Sequence, residues 1–320
     1  MPDERPPRIV ELAGGVGGAR LAHGLQAHLG SRLTVVVNVG DDLERHGLLI
    51  CPDQDTVLYT LAGIGDAELG WGIAGESFAA AEMLERLGEE TWFRLGDRDL
   101  ATHVRRTNRL RDGARLTEVA GELARSLGVQ ATILPVTDDA LRTELRTDDG
   151  WLEFQEYFVH RHQAPEVRDV RFRGAESAIV TSEVVAAIGA ADGIVVAPSN
   201  PIVSIGPILA VPGLSAATEG ARARGIRVIA VSPIVGGRAL RGPADRMLVS
   251  LGHESSALGV ARLYASWIDA FVLDVQDDAL APEVRALGIE AVVTDTIMVD
   301  DAARARLAAV VLDAVWATPV

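Results

Sequence analysis

Residues 8–39 read RIVELAGGVGGARLAHGLQAHLGSRLTVVVNV. Two apolar runs, Arg8 to Ala13 and Leu33 to Val39, bracket a glycine-rich turn and the helix-like stretch ARLAHGLQAHL. Strand, tight turn, helix and strand begin a parallel α/β sheet. The uninterrupted apolar stretch Val35–Val37 suits a strand covered on both faces, since a strand with one wet face would alternate. The rhythm returns late in the chain. DGIVVAPSNP (192–201), IRVIAVSPIVGG (226–237), IDAFVLD (268–274) and IEAVVTDT (289–296) each read as a strand, the first two running into a turn, and a terminal helix is expected from Asp301.

The middle of the chain has a different texture. GESFAAAEMLERLG, DRDLATHVRRTNRL and LTEVAGELARSLG place apolar residues three or four apart, the period of an amphipathic helix. Gly128 is a natural helix stop. LRTELRTDDGWLEFQEYFV (141–159) alternates around Asp-Asp-Gly and reads as a β-hairpin, with VRDVRFRG beside it. The expected fold is therefore α/β: a Rossmann-like, mostly parallel sheet with helical segments and a small β-rich insertion. One domain would span 1–320, with an insertion at about 60–175.

Composition narrows the function. The chain has 320 residues, is 48% hydrophobic and carries a net charge of −15. A packed core is affordable at that size, and a general nucleic-acid binder would carry a basic face instead. No apolar run is long enough to cross a bilayer, and the opening MPDERPPR is charged and proline-rich rather than a signal peptide; the expected location is the cytoplasm, with no membrane partner. Cys51 is the only cysteine, so no internal disulfide or cysteine-rich zinc site exists. All 30 basic residues are arginine. A Walker lysine, a Schiff base and a lysine base are thereby excluded; phosphate charge must meet Arg, backbone N–H groups or a metal.

Four strand-to-helix turns carry candidate chemistry. Gly14, Gly15, Gly17 and Gly18 allow close backbone approach, and a helix starting near Gly17 would offer unpaired N–H groups to an anion. The dinucleotide fingerprint fails because Arg20 stands where its third glycine belongs. In NVGDDLERHGLLICPDQDT, Asn38 closes a strand. Asp41 and Asp42 follow at the sheet's carboxyl edge, and Asp53, Asp55 and Thr56 come from a second loop. Carboxylates from two loops suit a hard cation such as Mg²⁺; their alternative is helix capping. Asp97 and Arg98 open a helix that also carries His103, Arg105 and Arg106. Ser199 and Asn200 in PSNP, and Gly236, Gly237, Arg238 and Arg241 in the loop after the next strand, complete an edge suited to a nucleotide or pyrophosphate with a divalent metal.

AGGVGGAR, NVGDD, CPDQDTVLYTLAG, GWGIAGESF, WFRLGDRDLATHVRRT, LPVTDD, FQEYFV, PSNPIVSIGPIL and VSPIVGGRALRGPA occur in this order. Together they closely resemble the 2-phospho-L-lactate transferases, which make the deazaflavin coenzyme F-420. The resemblance implies a Rossmann-like homodimer that uses Mg²⁺. It implies transfer of a phospho-organic-acid group from a guanylyl diphospho-donor to the ribityl hydroxyl of Fo, a hydroxylated deazariboflavin, with release of GMP. The donor group would be lactyl, enolpyruvyl or glyceryl. By position, Asp41 matches the acidic residue at the metal and Fo, with Asp55 a companion metal ligand and Thr56 beside it. Gly14, Gly15, Gly17, Gly18, Asn38, Asp97, Arg98, Ser199, Asn200, Gly236 and Gly237 fall in loops around the cofactor and nucleotide. Asp41 or Asp42 is the expected catalytic carboxylate, ahead of His103. Trp71, Trp92 and Phe93 would wall the tricyclic ring. Ala74 and Gly75 stand where many relatives have a basic residue, so no basic contact to Fo is expected there. The competing reading is a UDP-sugar-binding regulator from a related branch of the superfamily.

Overall fold

The structure, a computed structural model, describes residues 7–317; the first six residues of the opening MPDERPPR lie outside it. Seven strands form the central sheet: β1 (Ile9–Ala13), β2 (Leu33–Val37), β3 (Thr132–Pro135), β4 (Gly193–Val196), β5 (Val228–Val231), β6 (Ala270–Asp274) and β7 (Glu290–Thr294). They lie in the order β7-β6-β5-β4-β1-β2-β3, and every pairing is parallel. The expected parallel α/β sheet is what forms.

Burial on both faces explains the apolar runs. Val10, Leu12, Val36, Ile194 and Val196 face one core, packed with Val184, Ile188, Leu214 and Val260. Ile9, Ala13, Val35, Val37 and Val195 face the other. That second layer is built from α1 (Gly15–Leu29), α2 (Pro52–Leu61), α3 (Asp99–Arg111), α4 (Leu116–Ser126) and α5 (Asp301–Trp316), with α1 lying against both α2 and α5. α1 begins at Gly15, two residues earlier than expected, and α4 gives way to Gly128 at φ +70°.

The β-rich element is a three-stranded antiparallel sheet, with Arg142–Thr147 between Gly150–Glu153 and Asp169–Arg173. The hairpin's second strand stops at Glu153. Residues 154–159, expected to continue it, are helical instead, and the helical turn runs on to His160. Phe154, Tyr157 and Phe158 then fall on one side of a helical turn and pack with Leu145 and Val203, a burial that an alternating strand would have split between two faces. Among the described residues no single helix is long and apolar enough to cross a membrane.

The strand order reverses direction between β1 and β4. In open parallel sheets the crevice outside the carboxyl ends at such a switch point is where ligands bind. The turns after β1, β2, β4, β5 and β7 meet there.

Candidate active site

A cavity of about 590 Å³ opens at that edge. One wall is the start of α1. Gly15 takes φ +62°, a left-handed conformation that lets the chain leave β1 and enter the helix within two residues. The cap position is Gly14, which has no side chain to cap with, and no acidic residue lies in the first turn of α1; the helix turns its positive end to the cavity beside Gly14, Val16 and Gly17, with the Asp53 carboxylate accepting from the Gly15 N–H. The turn is held from β4: Ser199 Oγ accepts from the Gly14 N–H at 3.1 Å and donates to the Gly14 carbonyl at 2.7 Å. Asn200 caps the next turn, accepting from the N–H groups of Ile202 and Val203. Both residues line the cavity as well.

The floor is acidic. Asp41, from the turn after β2, and Asp53, from the first turn of α2, are both buried and both line the cavity. Asn38 organises them, donating to Asp53 Oδ2 at 2.9 Å and accepting from the Gly40 N–H at 2.7 Å. Among the described residues Oδ1 of Asp41 has no hydrogen-bond partner. Burial first, then the charge of Asp53, pushes the Asp41 carboxyl well above its ordinary range. Burial likewise raises Asp53, to about 6. Two buried carboxylates lacking a counter-cation, one with an orphaned oxygen, are a donor set that a hard divalent cation would satisfy.

A second network sits beside it. Asp55 and Tyr59 share one face of α2, and Asp99 and His103 share one face of α3, each four residues apart. Tyr59 donates to Asp99 Oδ1 at 2.6 Å, and His103 Nε2 lies 3.2 Å from the same oxygen. Arg106 reaches Asp55 with both terminal nitrogens and His103 Nδ1 at 3.2 Å. Hydrogen bonds from His103 and Tyr59 hold Asp99 below the usual carboxylate range against the upward push of burial. One ligand atom each from Asp55, Asp99 and His103 lie within 4.8 Å of one another, so this group too could hold a metal ion. In this network Arg106 meets Asp55 and Tyr59 meets Asp99, with His103 Nε2 left short of a full hydrogen bond, whereas Asp41 and Asp53 have no basic partner among the described residues.

Of the residues expected at a ligand, Gly14, Gly15, Gly17, Asp41, Asp55, Thr56, Ser199 and Asn200 line the cavity. Others stand behind it. Asp42, expected with Asp41 to act in catalysis, is outside the lining; it is buried toward Cys51 and Arg142, with its carboxyl raised to about 7 by burial. Gly18 packs on Ala13 and Ser199. Asn38 acts through Asp53. Asp97 accepts from Ser77 Oγ and from the N–H groups of Ala79 and Ala80, anchoring the start of the helix Ala79–Arg86, and Arg98 donates to the Ala74 carbonyl. These two tie a loop together outside the cavity. Gly236 and Gly237 shape the loop after β5, the former through its N–H to Asp277 at 3.1 Å, while Ser232, Pro233 and Val235 reach the lining. Trp71 and Phe93 join the wall as expected; Trp92 does not, being stacked on His160 at 4.9 Å under Arg45.

Sequence reading offered Asp53 and Asp55 together as carboxylates for a cation but chose Asp55 as the metal ligand beside Asp41, and it passed over the Tyr59–Asp99 pair and the aromatic wall of Phe154 and Phe158. The four-residue spacings in α2 and α3 carried part of that information. Nothing local shows that the two helices face each other.

The chain matches the family described as 2-phospho-L-lactate transferase CofD over residues 9–314. It belongs to that family. The 2-phospho-L-lactate transferase of Methanosarcina mazei is 38% identical over 307 residues, covering 96% of this chain and 100% of the relative. The phosphoenolpyruvate transferase of Streptomyces griseus is 44% identical over 308 residues, covering 94% and 96%. The protein is therefore a transferase, and the resemblance read from its motifs holds. Among solved structures, a member of the UPF0052 family from Bacillus halodurans superposes with a TM-score of 0.62 at 15% identity, over 97% of this chain and 100% of that one. At that identity the likeness is one of fold.

Proposed function

We propose that this CofD-family transferase moves a phospho-organic-acid group, 2-phospho-L-lactate or phosphoenolpyruvate, from a guanylyl diphospho-donor to the ribityl hydroxyl of Fo, releasing GMP in the synthesis of coenzyme F-420. The observation that carries the reading is the meeting, in one cavity at the switch point, of the first turn of α1 with two buried carboxylates, Asp41 and Asp53, that have no basic partner among the described residues.

Phosphoryl transfer needs alignment and charge neutralisation more than covalent help. The first turn of α1 offers N–H groups to the diphosphate. Asp41 and Asp53, with Asp55 alongside, would hold Mg²⁺, which when bound neutralises charge on the phosphate oxygens. Asp41 Oδ1, free of partners among the described residues, is the proposed acceptor of the hydroxyl proton. Trp71, Phe93, Phe154 and Phe158 give the cavity flat apolar faces for the deazaflavin ring and keep water from it. Asp42, Asp97, Arg98, Gly236 and Gly237 support the site from behind the lining. The same reading makes the enzyme a cytoplasmic homodimer with a single α/β domain; the insertion expected at about 60–175 is not continuous, because β3 and α4 within it belong to the central sheet and its helical layer.

The test offers purified protein Fo, Mg²⁺ and each guanylyl donor in turn and reads product mass, alongside thermal-shift measurements with GDP plus Mg²⁺ and with UDP-GlcNAc. Formation of the phosphodiester is expected. Stabilisation by UDP-GlcNAc alone, with no product from any donor, overturns the proposal in favour of a UDP-sugar-binding regulator.

A further inference from the structure

Arg20 lies on α1 just beyond the glycine turn. It lines both the main cavity and a neighbouring one of about 370 Å³, and so stands at the neck between them. Arg241 enters the main cavity from the loop after β5. Its two terminal nitrogens donate to the carbonyls of Leu69 at 2.7 Å and Glu68 at 2.8 Å, leaving three of five N–H donors unused. Arg304 of α5 lines the smaller cavity. The three guanidinium groups repel one another: Arg20 holds its proton less firmly than usual because of burial, then Arg241, then Arg304.

Among the described residues, only Arg304 of the three has a carboxylate partner, Asp301 Oδ1 at 2.9 Å. Arg20 makes a long contact of 3.5 Å to the Met298 carbonyl and no ion pair among the described residues. The chain holds 45 acidic residues for its 30 arginines, so counter-charges are plentiful, yet none is spent on Arg20 or Arg241. Arg20 is half-buried and Arg241 exposed, and two neighbouring guanidinium groups without a carboxylate between them are unfavourable unless an anion completes them.

The α1 start and the cation-seeking carboxylates already account for one anionic centre. Arg20 follows Gly15 by five residues, about 7.5 Å along the axis at 1.5 Å per residue. The Arg20 guanidinium meets Arg241, Arg304 and the Met298 carbonyl rather than any group of the glycine turn, so the arginines mark a second cationic centre. The donor has two anionic parts: its diphosphate and, a few bonds away, the carboxylate of the organic acid. We propose that Arg20 and Arg241 form the subsite that receives this carboxylate and thereby select donors carrying an α-carboxylate next to the reacting phosphorus. The inference rests on the function proposed above. The planar guanidinium matches a carboxylate in shape and donor spacing, which a point charge does not. Arg241 also bridges two loops, so the group that meets the carboxylate also fastens the 236–243 loop to residues 68 and 69.

The experiment compares the KM for the guanylyl donor with the Ki of GDP, which shares the diphosphate and lacks the acid, in wild type, Arg20→Gln, Arg20→Lys and Arg241→Gln. Circular dichroism and melting temperature establish that each variant is folded, and Arg241→Gln on the exposed loop serves should Arg20→Gln fail to fold. Donor KM is expected to rise about 10- to 100-fold in each Gln variant, less in Arg20→Lys, while the Ki of GDP stays within about twofold. Equal losses for donor and GDP would show that the arginines hold a phosphate, and unchanged values for both would show that they hold nothing; either overturns the subsite. A wild type that neither binds GDP nor turns over any donor overturns the proposed function, and the subsite with it.

Discussion

Arg106 of α3 carries both terminal nitrogens of its guanidinium onto the carboxylate of Asp55 in α2, fifty-one positions earlier, and both side chains are buried. The pair joins the two helices at the cavity floor, with Asp55 in the lining and Arg106 behind it, and His103 and Asp99 extend it to Tyr59. Removing one partner of such a pair strands the other charge in the interior. Arg106→Met should therefore lower the stability by about 3–5 kcal/mol, read from urea unfolding. Replacing both residues, as Arg106→Met with Asp55→Leu, should recover part of that loss. A single variant as stable as the wild type would mean that water or a rearranged neighbour neutralises Asp55.

Asp41 bears the opposite relation to its surroundings: its charge is unmet. Asp41→Asn should cost at least about 10²-fold in turnover and weaken binding of the divalent cation. Its melting temperature should equal or exceed that of the wild type, because an unneutralised buried carboxylate is removed. Near-normal turnover would refute the role given to Asp41.

Glu11, in the middle of β1 between Val35 and Val195, is wholly buried, and among the described residues neither carboxylate oxygen is bonded. Burial holds its pKa well above the ordinary value. The folded state thus binds this proton more tightly than the unfolded chain. The neutral carboxyl is tolerated below the unfolded pKa; stability is then lost as pH rises from that value towards the folded one. Glu11→Leu removes this dependence, so its advantage over wild type should grow between pH 4 and pH 8 in urea titrations (about the range above the free glutamate value). A difference that is the same at both ends would show that Glu11 finds a partner in solution.

Gly17 faces the carbonyl of Pro198 so closely that an added Cβ would collide with that oxygen. Gly→Ala within a helix ordinarily helps by restricting the unfolded chain. Here Gly17→Ala should instead destabilise by about 1–3 kcal/mol and weaken binding of GDP, because α1 must move away from the β4 turn. Unfolding curves and GDP titration report both; a stabilised variant with intact affinity would show that the turn yields without cost.

Much of this protein was legible in the chain. The apolar runs ending at Ala13, Val37, Val196 and Val231 name buried parallel strands, because only strands covered on both faces lack alternation. The glycines after β1 name a tight turn into a helix, and the absence of lysine excludes a Walker site. The nine ordered motifs lead to the family to which the chain belongs. What the residues could not show is which distant groups meet. Spacing tells which face of a helix a side chain occupies but not what stands opposite. Asp53 rather than Asp55 therefore emerges beside Asp41, Asp55 is met by Arg106, and Asp97 becomes the anchor of another helix only when the chain is folded. FQEYFV reads as strand in isolation, yet it turns helical because that places Phe154, Tyr157 and Phe158 against Leu145 and Val203. Local pattern sets elements and their faces. Burial, and the neutralisation of buried charge across dozens of residues, sets the site.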